Sequence, residues 1–122
     1  MKTITELNLS NFNTSNVLGM EAMFYNMTAL KTLDISNFET SQVGSMKSIF
    51  ATADGDSLER IYVNNDFNTA RLTSYMDYTN MFTGRNKLRG GNGSYLSNPA
   101  TADLTWLRVD RPGVQGYFTR KS

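Results

Sequence analysis

Leu33-Asp34-Ile35-Ser36-Asn37-Phe38-Glu39-Thr40-Ser41-Gln42-Val43 answers Leu7-Asn8-Leu9-Ser10-Asn11-Phe12-Asn13-Thr14-Ser15-Asn16-Val17 at an offset of 26 residues. The match extends in both directions, pairing Ile4 with Leu30, Met20 with Met46, Met23 with Ile49 and Phe24 with Phe50. A fixed period of this length marks a repeat architecture, in which each unit buries its apolar face only against its neighbours. A looser third copy follows: Leu58, Ile61 and Val63 continue the pattern at an offset of 28, Phe67 and Thr69 at 29, and Met81-Phe82 answers Met23-Phe24. The extra residues are expected in loops, near 51–57 and 74–79.

Within a unit, Leu7-x-Leu9, Leu33-x-Ile35 and Ile61-x-Val63 alternate with polar residues, the period of a half-buried strand. Strands separated by so long a crossover are expected to pair in parallel. The Asn-Phe-x-Thr-Ser stretch supplies turn formers around an inward Phe. Val17, Met20, Met23, Phe24 and Met27 then recur at helical or 3-10 spacing, giving one apolar stripe toward the sheet. The expected fold is an α/β solenoid: a short leucine-rich-repeat-like parallel sheet, short helical or 3-10 segments on the opposite face, and a C-terminal β cap. One domain spans 1–122, with repeats at about 4–29, 30–57 and 58–87 and the cap at about 88–119. Leu104-Thr105-Trp106-Leu107-Arg108-Val109 reads as a fourth strand and Gly116-Tyr117-Phe118-Thr119 as a final pairing strand.

Leu33-Asp34-Ile35-Ser36-Asn37-Phe38 with its counterpart in the first unit, together with Met23-Phe24-Tyr25-Asn26-Met27-Thr28-Ala29-Leu30, resembles the BspA-like leucine-rich repeats, the 26-residue repeat of bacterial surface proteins. Leu88-Arg89-Gly90-Gly91-Asn92-Gly93 and Gly116-Tyr117-Phe118-Thr119 resemble the segment that closes such arrays. The resemblance implies a cell-surface or secreted, adhesive protein.

Composition narrows the chemistry. The 122 residues include no Cys and no His, which excludes disulfides and thiolate–imidazole zinc sites, and no cofactor is expected. Catalysis would fall to carboxylates, Ser, Lys or Tyr, and no acidic pair converges, so an enzyme is not expected. Asp54 and Asp56 in Ala53-Asp54-Gly55-Asp56-Ser57 lack the remaining ligands of a calcium loop and read as a turn. Gly90-Gly91-Asn92-Gly93-Ser94 is a tight loop without the strand, helix and Lys of a phosphate cradle. Residues 1–57 carry three basic and six acidic side chains, whereas 58–122 carry nine and five, so the chain is acidic at one end and basic at the other. No basic run suggests nucleic acid, and no apolar run is long enough to span a membrane.

If Leu7, Leu33, Ile61 and Leu107 point inward, their neighbours form outward rows: Glu6, Thr32, Arg60 and Trp106; Asn8, Asp34, Tyr62 and Arg108; Ser10, Ser36 and Asn64. Tyr, Trp and Arg are the residues most enriched at interface hot spots. The candidate binding residues are therefore Arg60, Tyr62, Trp106, Arg108, Asp34 and Asn8. The alternative places Trp106 inside the cap with Tyr62 covering it. Two functions fit: a non-catalytic module of a bacterial surface or secreted protein, binding a protein or glycan through the sheet face; or a small intracellular inhibitor encoded by a mobile element. Met1-Lys2-Thr3-Ile4 opens no signal-peptide stretch, which favours a cytoplasmic location under the second. Either earlier repeats precede the N-terminal strand Ile4–Leu9, or that strand lies exposed at an edge where it can pair with another copy.

Overall fold

A computed structural model describes residues 4–53 and 55–121. Its elements are β1 (Glu6–Asn8), β2 (Thr32–Asp34), β3 (Arg60–Val63) and β4 (Thr119–Arg120), with 3-10 turns at Tyr75–Asp77, Pro99–Thr101 and Leu104–Trp106. The four strands form one parallel sheet in chain order. Its register follows the repeat: Leu7 lies beside Leu33 and Leu33 beside Ile61. The parallel sheet and a strand closing it near the C-terminus are as the sequence led one to expect, with that strand at Thr119–Arg120 and not at 116–119; the 3-10 turns lie in the expected loop at 74–79 and in the cap, not on the Met and Phe stripe. The fourth strand expected at Leu104–Val109 does not form: Asp103 caps a 3-10 turn there, accepting the Thr105 N–H at 2.9 Å, and β4 forms from the segment after Phe118.

Among the described residues there is no α-helix, and the reason lies in where the amides go. The N–H groups of Met20, Ala22, Phe24 and Asn26 donate to the carbonyls of Ser45, Lys47, Ile49 and Ala51 at 2.8–3.0 Å. Met46, Ser48, Phe50 and Thr52 donate likewise to Asp77, Thr79, Met81 and Thr83 at 2.7–3.1 Å. An amide that bonds the next unit cannot bond its own helix. Each turn includes residues with positive φ, namely Ala22 and Asn26, Ser48, and Asn80. These reverse the helical drift and keep alternate N–H groups on one side. The Met and Phe stripe thus lies on stacked turns, with Met20, Phe24 and Met27 buried while Met23 is 40% exposed.

Two further couplings repeat. Thr14 Oγ1 accepts from Glu39 N at 2.8 Å and donates to Glu39 O at 3.1 Å; Thr40 does the same with Asn68, at 2.8 and 3.4 Å. Through the core, the rings of Phe24, Phe50 and Phe82 stack at 5.7 and 5.2 Å between centroids, and the column continues through Tyr117 (4.6 Å) to Trp106 (4.7 Å). The Phe of the Asn-Phe turn is buried by degrees: Phe67 is buried, Phe38 partly so, and Phe12 is 62% exposed, with no described unit over it.

A buried cation lies at the base of the third unit. Arg85 Nε donates to Phe50 O at 2.6 Å, and its Nη1 lies 3.6 Å from Asp56 Oδ1. Burial lowers its pKa, and Asp56 opposes that shift. The loop holding Asp56 is therefore a brace across units, with Asp56 Oδ2 also accepting Lys87 N at 2.8 Å.

Phe50 sits in mid-column with no exposure. Phe50→Ala should destabilise the fold by roughly 3–5 kcal/mol, read by urea denaturation. Gly116 lies against the cap, where an added Cβ would stand 2.0 Å from Arg108 O. Gly116→Ala should therefore cost on the order of 2 kcal/mol in the same assay, whereas Gly44→Ala, whose Cβ would meet only Leu18 O at 3.8 Å, should cost less.

Candidate binding face

The outer face of the sheet carries two registered rows. Glu6, Thr32 and Arg60 form one, and Asn8, Asp34, Tyr62 and Thr119 the other. Three of the six residues expected at the site, Asn8, Asp34 and Tyr62, thus lie side by side, with Arg60 in the adjacent row. Trp106 and Arg108 do not join them. Trp106 is 9% exposed and packs on the Tyr117 ring, because Leu104–Trp106 is a turn of the cap rather than a strand. Arg108 lies in the cap, its Nε donating to Thr105 O at 2.6 Å and its Nη2 to Gln115 O at 3.3 Å.

Most polar groups on the face are already held. Asn8 Oδ1 accepts from Ser10 N and Oγ at 2.9 and 2.6 Å, leaving its amide N–H groups outward. Arg60 Nη1 donates to the carbonyls of Arg89 and Gly90, both at 2.8 Å. Lys121 Nζ meets Asp34 Oδ2 at 2.6 Å, and Ser36 N donates to Asp34 Oδ1 at 3.0 Å. Burial would raise the Asp34 pKa, but Lys121 and Ser36 outweigh it and hold the carboxyl below its usual range. Asn64 Nδ2 donates to Asn37 Oδ1 at 3.1 Å, extending the fixed polar array beyond the strands.

Asp66 ties β3 to the cap. It accepts from Val109 N at 2.9 Å and from both terminal nitrogens of Arg111 at 2.9 and 3.1 Å. Burial again pushes this carboxyl up, and Arg111 and the Val109 amide bring it below its usual value. The glycine loop is an anion cradle filled from within: Asp110, 6% exposed, accepts from Asn92 N at 2.8 Å and Ser94 N at 2.9 Å. Gly90 is required there, since a Cβ would lie 2.2 Å from Gly116 O.

Sequence reasoning did not find an apolar recess of about 370 Å³ on the first unit between Leu7, Leu9, Phe12, Val17, Phe24 and Phe38. The exposed Phe12 was the available signal, read as an inward anchor from its position in the repeat. A second recess of about 250 Å³ is lined by Thr52, Ala53, Gly55, Asp56, Gly84 and Asn86. No group of three or more acidic ligands gathers among the described residues, and none of their helices is long and apolar enough to cross a membrane.

The fold and face define a class of parallel-sheet protein built from strand–turn repeats. The family model for "Mycoplasma protein of unknown function, DUF285" matches residues 1–103, and the chain belongs to that family. It is distinct from the BspA-like leucine-rich repeats, so the resemblance drawn from the 26-residue period is corrected: that period reports the stacking geometry, not the lineage. No curated protein and no solved structure matches the chain.

Both Asp34 and Asp66 have folded pKa values below the 3.8 of a free Asp. Their contribution is present above the unfolded value and is lost as pH falls through the folded one. The urea midpoint should therefore drop as pH is lowered below about 4, and the Asp34→Asn/Asp66→Asn double variant should show a flatter profile over that range.

Proposed function

We propose that this chain is a non-catalytic binding module of a bacterial surface or secreted protein, a short solenoid that recognises a protein partner through the outer face of its sheet. The observation that carries the reading is the prior ordering of that face. Asn8, Asp34 and Arg60 are each fixed by a neighbour around the half-buried Tyr62. Side chains ordered before contact lose less entropy on binding, which favours recognition by a rigid surface. Tyr62 adds an aromatic with a polar tip, the kind of residue that anchors interfaces.

The role of each residue follows from its bonds. Tyr62 is the group left to meet a partner, while Arg60 and Asp34 are held by their own bonds. Trp106 supports the cap, so its removal reports on stability rather than on recognition.

The test is binding of the labelled protein to immobilised host-cell surface proteins. Tyr62→Ala should weaken capture by roughly tenfold or more at unchanged thermal stability. Undiminished capture would remove the sheet face from consideration, and capture by glycan arrays alone would replace the protein partner. Protease accessibility on intact cells tests the surface location.

A further inference from the structure

Among the described residues, nothing pairs with the outer edge of β1 or covers the end of the core beside it. Thr5 O accepts from Thr32 N, and Leu9 N donates to Asp34 O at 2.8 Å. The odd-numbered residues of this strand therefore face β2, and by alternation the backbone N–H and C=O of Glu6 and Asn8 face away from the sheet. Beneath this edge lies the apolar cleft floored by Phe24 and Phe38, with Phe12 at its rim. Its repeat counterparts are packed, Phe38 at 6.4 Å from Phe24 and Phe67 at 4.7 Å from Phe118. On the turn side, the carbonyls of Gly19, Glu21, Met23 and Tyr25 correspond by the repeat to those of Ser45, Lys47, Ile49 and Ala51. Among the described residues no hydrogen bond reaches the first four.

We propose that a second copy of the chain covers this end, joined two-fold through antiparallel pairing of β1 with β1. The turn side offers acceptors only and cannot pair with itself, but the strand edge offers donors and acceptors together. The registers available are limited, because outward-facing residues must meet outward-facing residues. Setting Glu6 opposite Glu6 brings like charges together, which is unfavourable. Setting Asn8 opposite Asn8 leaves Glu6 facing Ser10, beyond the end of the strand. Centring on Leu7 places Glu6 opposite Asn8 of the other copy twice over, each pair exchanging both backbone bonds. The Asn8 amide N–H groups, left outward by the Ser10 contact, then meet the Glu6 carboxylate. Leu7 faces Leu7 over the two clefts, each reached by the other copy's Phe12. Such an isologous contact closes on itself, so it yields a dimer and not a fibre.

The cysteine-free sequence makes the register directly testable. In this pairing Leu7 and its symmetry mate form a non-hydrogen-bonded pair with Cα atoms about 4.5 Å apart, within the range of a disulfide. Leu7→Cys should cross-link into a covalent dimer under mild oxidation, while Ser97→Cys, exposed in the cap, stays monomeric at the same concentration. Sedimentation of the unmodified protein should show a concentration-dependent dimer. Asn8→Pro removes an N–H that β2 does not use, and it should weaken the dimer by roughly tenfold or more with the monomer fold retained by circular dichroism. A strictly monomeric protein at millimolar concentration, or Leu7→Cys cross-linking no faster than Ser97→Cys, would overturn the proposal. Preferential self-cross-linking of Glu6→Cys would overturn the register on which it stands.

Discussion

The column of rings from Phe24 through Phe50, Phe82 and Tyr117 to Trp106 is the interaction on which the other features depend. The strands are three or four residues long, and β4 only two, so the sheet by itself would be marginal. Stacked rings spaced about one unit apart fix the separation at which strand ladders, turn ladders and Thr14 and Thr40 stitches close together. The column is also why the cap takes its form. Tyr117 lies over Phe82 and Trp106 over Tyr117, which draws Leu104–Trp106 into a turn and leaves the following segment to extend the sheet.

Charged residues in this fold serve mainly to join elements that the backbone cannot join. Asp66 holds the cap to β3, Asp34 reaches the segment after β4 through Lys121, Asp110 orders the glycine loop, and Arg85 braces the third unit against the second. The cost of burying Arg85 is offset by backbone carbonyls and Asp56. Among the described residues, the Tyr62 hydroxyl and the Asn8 amide N–H groups enter no such bond. The acidic and basic halves of the sequence thus reflect internal bonding as much as external attraction: six of the nine basic residues after position 57 are engaged, as Arg60, Arg85, Arg89, Arg108, Arg111 and Lys121.

The repeat was legible because it is written in side chains that every unit must bury in the same way. Leu7, Leu33 and Ile61 fall in register as the 26- and 28-residue offsets require. The candidate site was half legible. Asn8, Asp34 and Tyr62 share a row because alternation along a strand is local, and a local rule carries across a register set by the core. Trp106 and Arg108 were misplaced because Leu104-x-x-Leu107-x-Val109 satisfies the strand pattern while Asp103, one residue earlier, caps a turn. Local pattern cannot weigh a cap against a strand when the deciding contact is with Tyr117. The same limit applies to lineage, since a period enforced by packing can arise in distinct families.

The sequence by itself determined the period, the parallel pairing and the inward residues, all consequences of which side chains avoid water at a fixed spacing. Tertiary structure alone decided that the Met and Phe stripe forms cross-linked turns and not helices, because the amides of Met20, Phe24, Met46 and Phe50 find acceptors on the next unit. It alone decided which charges remain free, since Arg60 meets carbonyls 29 and 30 residues away and Lys121 meets Asp34 across 87. Those partners are distant along the chain and close only once the units have stacked.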